Sequence, residues 1–260
     1  IMWLLVLEGL AIGCLLGMTG AGGGILAVPA LMASQGWTVA QAAPVGLLAV
    51  TLSAMVGAVQ GLFKKIVRYR AAIWIAIISI PSARYGVHLS GVLPATWLSI
   101  AFSLIMLIVA YRVFANQVDD FIDPPCRVNP STGRLIWNVR TASVLGSIGV
   151  LAGLLTGLLG VGGGFVIVPA LRKVSDLDMH SIVATSLLII GLIGGFSILI
   201  HVLDGFHYPV TISLGFVSSC IVGMLIGRKM ISLIPIKTVQ KIFALTVFCV
   251  ANYMLFKAVF

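Results

Sequence analysis

The sequence predicts an all-α integral membrane protein: a polytopic helical bundle of two inverted repeats, each a glycine-broken, re-entrant helix followed by three transmembrane helices. Composition, an internal duplication and the distribution of positive charge lead to this fold class. Of the 260 residues, 60% are hydrophobic and 9% are charged, whereas about a quarter of the residues in soluble domains are charged. Apolar runs such as 71–93 and 238–256 have the length of roughly 20 residues that a helix needs to cross a bilayer.

The duplication has an offset of 140 residues. Residues 17–31 (GMTGAGGGILAVPAL) and 157–171 (GLLGVGGGFVIVPAL) share nine identities in fifteen positions. We therefore divide the chain into a first transmembrane repeat, a polar cytoplasmic linker and a second transmembrane repeat, at 1–115, 116–140 and 141–260.

Each repeat begins with its glycine-interrupted apolar segment, and three uninterrupted apolar segments follow. These predict helices at 40–63, 70–92, 95–115, 179–203, 208–228 and 235–257. Between the repeats, three of the seven acidic residues and Pro124, Pro125 and Pro130 indicate a polar surface linker.

Positive charge determines the predicted topology. If every segment crossed the membrane, nine of the 16 Lys and Arg residues would lie inside and seven outside. If each glycine-broken segment dips in and returns, with the N-terminus outside, 14 lie inside and 2 outside. The positive-inside rule favours the second arrangement, which makes the repeats inverted copies. The first arms, 3–19 and 144–159, are nearly long enough to cross, so we expect a deep or tilted hairpin.

The glycine breaks are the first candidate binding site. A glycine in a helix costs about 1 kcal/mol relative to alanine, so a cluster needs another reason. A break starts a new helix whose N–H groups and partial positive charge favour an anion. Close packing through small residues, as in GxxxG motifs, is the competing explanation. The candidate residues are Gly20, Gly22, Gly23, Gly24, Gly160, Gly162, Gly163 and Gly164.

Two hydroxyls follow the second break. Thr185 and Ser186 are in register with Val45 and Gly46 of the first repeat, which carry no hydroxyl. The two hydroxyls could donate to an anion or bond back to the preceding helical turn. A site built from these residues would therefore be asymmetric or depend on backbone N–H groups.

Titratable residues within the predicted spans are few, and such residues are functional candidates. Arg84 could attract an anion or extend its side chain to the interface, and His201 could couple protons or lie at the interface. The others are Glu8, His88 and Asp204.

The sequence lacks the motifs of other function classes. HExxH, GxSxG and paired intramembrane aspartates are missing, so we predict no enzyme. The basic residues form no continuous patch, so we predict no nucleic acid partner. The four cysteines have no CxxC spacing, so we expect no metal, and we expect no cofactor either. The first apolar run contains Glu8 and lacks a basic n-region, so we do not expect a cleaved signal peptide.

The doubled GxxGxGGGxxxVPAL motif and the Ala-Thr-Ser-Leu at 184–187 resemble the sulfite exporter family known as TauE/SafE over essentially the whole chain. The resemblance implies a multi-pass transporter of the cytoplasmic membrane that moves a small sulfur-containing anion such as sulfite, sulfoacetate or another organosulfonate. Export by alternating access is the expected mode. An anion channel, or an uptake carrier for another small oxyanion or carboxylate, is the alternative.

Two features depart from the family pattern. Pro44-Val45-Gly46 replaces the usual hydroxyl-containing triplet, and Gln60 lies where a histidine is common. Because of these two departures, the resemblance does not identify the substrate. The expected partners are the small anionic substrate and the lipid bilayer. The sequence does not decide whether the protein forms a homodimer.

Overall fold

The computed structural model describes residues 2–20, 23–114, 126, 136–230 and 236–259. Gly22 and most of the predicted linker lie outside the described residues. Within these ranges the chain forms ten α-helices. They are α1 (Met2–Thr19), α2 (Gly24–Gln35), α3 (Val39–Phe63), α4 (Tyr69–Val92), α5 (Ala95–Phe114), α6 (Val139–Leu159), α7 (Gly164–Val174), α8 (Met179–Leu203), α9 (Val210–Met230) and α10 (Ile236–Val259).

The three predicted helices of each repeat are confirmed as α3–α5 and α8–α10, with ends within two residues of the predicted ones. Local capping defines the starts of α3 and α8. The Thr38 N–H donates to the Gln41 side chain at 3.1 Å, and the Ser181 N–H donates to the Asp178 carboxylate at 3.2 Å. These side chains satisfy N–H groups that a helix start otherwise leaves unpaired.

Six helices in the described part of the chain are long and apolar enough to cross a membrane, namely α3, α4, α5, α6, α8 and α9. Their outer faces carry large apolar side chains; Phe63 and Leu214, for example, are 84% and 66% exposed. Such faces are stable against lipid and unfavourable in water. The chain is therefore a polytopic helical membrane protein.

The set of spanning helices differs in part from the sequence prediction. The first arm of the second hairpin, α6, has 21 residues and is long enough to cross. Helix α10 has 24 residues, which is also long enough to cross about 30 Å of hydrocarbon. Helix length alone is thus compatible with crossing for α6 as well as for α10.

Packing between the two repeats dominates the bundle. Helix α1 packs along α9, α6 along α4, and α5 against α10. The contact of α1 with α9 is parallel, because Gly9 meets Phe216 and Gly17 meets Arg228. A Cβ built on Gly13 would lie 2.1 Å from the carbonyl oxygen of Cys220, so only glycine permits this approach.

The same contact recurs in the other copy. A Cβ built on Gly153 of α6 would lie 2.3 Å from the carbonyl oxygen of Ser79 on α4. Gly153 is 140 residues after Gly13, and Ser79 is 141 residues before Cys220. The two repeats are therefore interleaved, each supplying helices that pack on the other, with related contacts on the two sides.

The centre of the bundle is the pair α3 and α8, which occupy equivalent positions in the two repeats. Their apolar spans are 72% and 67% buried, against 28% for α5. Gly61 meets Ala184, whereas Thr51 meets Gly194 further along α8, so the two helices run antiparallel.

The structure describes two parts of the predicted linker, Cys126 and residues 136–140, of which the second is exposed. The Cys126 N–H donates to the carbonyl of Val174 at 2.9 Å, and the Cys126 side chain is fully buried. At Cys126 a small apolar thiol thus packs against the end of α7, and the linker as a whole stays a prediction.

Candidate functional site

Both glycine clusters begin with a left-handed glycine that closes the preceding helix. Gly20 follows α1 with φ +74° and Gly160 follows α6 with φ +67°. Their N–H groups donate to the carbonyls of Leu16 and Thr156 at 2.8 and 2.9 Å and close the preceding helices. A left-handed residue at a helix end is typically glycine because a Cβ there would be strained.

Each break reverses the chain instead of continuing the helix. A Cβ built on Gly23 would lie 2.2 Å from the carbonyl oxygen of Ile12, and one on Gly163 would lie 2.7 Å from that of Ala152. Further along the first hairpin, the side chain of Ser34 of α2 lies near the Glu8 carboxyl of α1. The segments α1–α2 and α6–α7 are therefore helical hairpins.

The second helix of each hairpin starts without a side-chain cap. Gly23 and Gly163 occupy the N-cap positions of α2 and α7, and no side chain of the described residues accepts from the N–H groups there. Both starts are buried. A helix start of this kind carries partial positive charge in a low-dielectric setting, which suits an anion.

The two breaks meet at the centre of the bundle. A Cβ built on Gly24 would lie 2.7 Å from the carbonyl oxygen of Val161 in the other hairpin. The Val50 side chain of α3 lies beside both Gly24 and Gly162, and Ile190 of α8 also lies beside Gly162. Val50 and Ile190 are equivalent residues and are 1% and 0% exposed. The breaks thus converge, and apolar side chains close the junction.

Ser186 lies beside the turn of the first hairpin, and Thr185 lies beside the loop between α3 and α4. The Ser186 hydroxyl donates to the Gly20 carbonyl at 3.0 Å and lies 2.8 Å from the Val183 carbonyl. The Thr185 hydroxyl accepts from the Arg68 N–H at 3.0 Å. Accepting that bond leaves the Thr185 hydroxyl proton able to donate to a ligand.

Arg84 and His201 are not brought to the breaks. The Arg84 side chain is exposed on the outer face of α4. His201 lies in the last turn of α8, where its Nδ1 is 2.8 Å from the Ser197 carbonyl and its ring packs edge-on against Phe206. In contrast, the glycines of both breaks that the structure describes are buried.

Two further arginines, Arg68 and Arg228, are functional candidates that the sequence alone did not single out. Arg228 is half-buried, and its guanidinium donates to the Gly57 carbonyl of α3. Arg68 is half-buried, and its Nε is buried with no hydrogen-bond partner among the residues that the structure describes. Aligning the two repeats could have identified Arg228, because the equivalent residue of the first repeat, Val87, has no charge.

Comparison with known proteins adds a family to this geometry. The family model for the sulfite exporter TauE/SafE matches residues 5–254. The chain belongs to the TauE/SafE family. This TauE/SafE protein is 26% identical to a probable membrane transporter protein of Xylella fastidiosa, over 95% of this chain and 92% of the relative. It is 24% identical to the probable membrane transporter protein YunE of Bacillus subtilis, over 99% of this chain and 98% of the relative. No solved structure matches the chain significantly.

Family membership establishes the class of the protein. This TauE/SafE protein is a multi-pass membrane transporter and not an enzyme. Its family occurs in bacterial membranes.

Proposed function

We propose that this TauE/SafE protein is a secondary transporter that exports a small sulfur-containing anion across the cytoplasmic membrane by alternating access. Sulfite, sulfoacetate and other organosulfonates are the substrate class. The observation that carries the proposal is the meeting of the two hairpins, where Gly24 contacts Val161 and two helix starts without side-chain caps converge. Two such helix starts can hold one anion without a buried lysine.

The antiparallel contact of α3 and α8 supports an inverted repeat. Equivalent helices that run in opposite directions are related by an axis perpendicular to the helices. If both cross the membrane, that axis lies in the membrane plane, as in many carriers. The split of 14 to 2 in Lys and Arg residues supports the same orientation.

The closed centre favours a carrier over a channel. Val50 and Ile190 fill the junction of the hairpins and are almost fully buried. Gly20 contacts Val183 of α8, and Gly160 makes the equivalent contact with Ala43 of α3. Each hairpin thus rests on the central helix of the other repeat, and a rocking motion could exchange the two contacts.

A ligand panel tests the substrate class. We expect sulfite and a small sulfonate to raise the thermal unfolding temperature of the purified protein, with acetate as the matched carboxylate and sodium and choline chloride as salt controls. Stabilisation by acetate alone would favour the alternative, a carboxylate carrier. Stabilisation by choline and by no oxyanion would refute the proposal.

Transport assays test the mechanism. In proteoliposomes we expect sulfite flux that saturates and shows counterflow, because a carrier must bind its substrate and reorient. Unsaturated conductance without counterflow would identify a channel.

A further inference from the structure

Charged and hydroxyl groups gather at one end of the bundle, around the first two turns of α8. We call Arg68, Thr185, Ser186 and Arg228 the loading cluster. The Thr185 hydroxyl accepts from the backbone N–H of Arg68 and the Ser186 hydroxyl donates to the Gly20 carbonyl, each at 3.0 Å.

Arg228 approaches the same turns of α8 from α9. Its guanidinium is bonded to the Gly57 carbonyl of α3. A Cβ built on Gly57 would lie 2.9 Å from Leu187 Cδ1 and 3.4 Å from Arg228 Nη1. The guanidinium therefore lies next to the residue that follows Ser186.

The equivalent positions at the other end of the bundle carry no cation. Val45 and Gly46 replace Thr185 and Ser186, and Val87 replaces Arg228. Pro209 replaces Arg68 directly before the helix, because the Ser213 N–H bonds to the Pro209 carbonyl as the Ala72 N–H bonds to the Arg68 carbonyl. The residue before Pro209 is Tyr208. Burial raises the pKa of Tyr208 to about 12, so its phenol is neutral at cellular pH. The two ends thus differ by two positive charges and two hydroxyls, although their backbones are related.

Both guanidinium groups have N–H donors left for a ligand. Arg68 Nε is buried with no partner in the described part of the chain, and Arg228 uses one nitrogen for the Gly57 carbonyl. An arginine side chain has five N–H donors in a planar fork that matches an oxyanion. Among the residues that the structure describes, neither guanidinium forms an ion pair with a carboxylate.

We infer that the loading cluster is an asymmetric capture site for a small oxyanion, in which Arg68 and Arg228 bind the anion next to the first hairpin before it reaches the glycine breaks. This inference rests on the proposed function and deepens it, because it assigns a direction. The cluster adjoins the loop with Lys64, Lys65 and Arg70, which positive charge assigns to the cytoplasm. Capture from that side, with no equivalent site opposite, favours export.

Side-specific kinetics test the capture site. Proteoliposomes whose protein orientation is measured by impermeant labelling would be assayed with radiolabelled sulfite supplied to either side. For Arg228→Gln and Arg68→Gln we expect the KM on the loading-cluster side to rise about tenfold or more, the usual effect of losing a hydrogen bond to a charged group. The KM on the opposite side should change less than about twofold, because that end has no part in capture.

Matched variants separate capture from a structural role. Arg84→Gln removes an exposed cation from the same protein and should leave both KM values unchanged. Arg228→Lys keeps the charge without the fork and should give an intermediate KM on the loading-cluster side. All variants should elute as folded protein in size-exclusion chromatography.

The outcomes distinguish the two proposals. If the wild type moves sulfite and the folded Arg228→Gln and Arg68→Gln variants keep both KM values, or raise both equally, the capture site is refuted and the proposed function stands. If the wild type moves no oxyanion, both proposals fail.

Discussion

The Ser186 hydroxyl donates to the carbonyl of Gly20 at 3.0 Å, a bond between residues 166 positions apart. It connects the second turn of α8 to the turn of the first hairpin, and thus one repeat to the other. Ser186 is fully buried, so loss of its hydroxyl would leave the Gly20 carbonyl without this donor in an apolar setting.

We predict that Ser186→Ala lowers the free energy of unfolding by about 1–3 kcal/mol, the cost of an unsatisfied buried polar group. If the hairpin turn also positions the substrate, affinity for sulfite should fall as well. Ser99→Ala is the control, because the Ser99 hydroxyl bonds only to the preceding turn on an exposed face. Thermal unfolding in detergent measures both, and equal unfolding temperatures for the two variants would contradict the prediction.

The two N-cap glycines should be intolerant of side chains for different reasons. Gly23 has a helical φ of −58°, so its constraint is the 2.2 Å approach to the Ile12 carbonyl. Gly163 combines a close contact to Ala152 with φ +63°, which adds roughly 1–2 kcal/mol of backbone strain for an L-residue. We expect Gly23→Leu and Gly163→Leu each to abolish sulfite transport in proteoliposomes.

Gly195→Ala is the matched control for the N-cap glycines. It lies within α8, and a Cβ there would meet no atom within 4 Å. It should keep full transport and gain up to about 1 kcal/mol of helix propensity. Full activity in a double Gly23→Leu, Gly163→Leu variant would rule out the role of the breaks.

The proposed inverted topology predicts that Lys65 and Lys173 lie on the same side of the membrane, in the cytoplasm. Both side chains are exposed in loops or at helix ends. Single cysteines at these positions, in a background without the four native cysteines, should be labelled by an impermeant reagent only in inside-out vesicles. Labelling of the two positions from opposite sides would be incompatible with inverted repeats.

The N-cap of α8 should make stability depend on pH. Burial raises the pKa of Asp178, but the hydrogen bonds from Ser181 outweigh it, and the pKa lies below its ordinary value of 3.8. A depressed folded-state pKa means that the carboxylate contributes stability above pH 3.8, and this contribution is lost as the pH falls through the folded-state pKa. We predict that Asp178→Ala costs about 0.5–2 kcal/mol at pH 7, the usual value of an N-cap.

The same variant should differ less from the wild type at strongly acidic pH, where the wild-type carboxyl is protonated. Unfolding temperatures of both proteins at pH 7 and at a pH near 2 test this. A constant difference would show that the Asp178 charge has no part in capping. Asp176→Ala is the control, because Asp176 precedes the helix and is not its cap.

The sequence alone determined the helices, the duplication and the places where helices break. Apolar runs fix a span because length and hydropathy are local properties of a segment. The four glycines in each break likewise specify a turn wherever the rest of the protein lies, since glycine adopts positive φ without strain. For this reason α3 and α8 were predicted to within one residue of their ends.

Only the tertiary structure decided which surfaces meet. Gly9, Gly13 and Gly17 recur every four residues and indicate a close helix contact, but nothing in that spacing identifies α9 as the partner. Lipid tails are as apolar as leucine, so helix pairing in a membrane depends on shape complementarity and hydrogen bonds between distant segments. Tertiary packing also explains why Arg84 and Arg228 have different surroundings. Both are arginines in apolar helices, and three-dimensional packing exposes one to the surroundings and bonds the other to Gly57 beside the first hairpin.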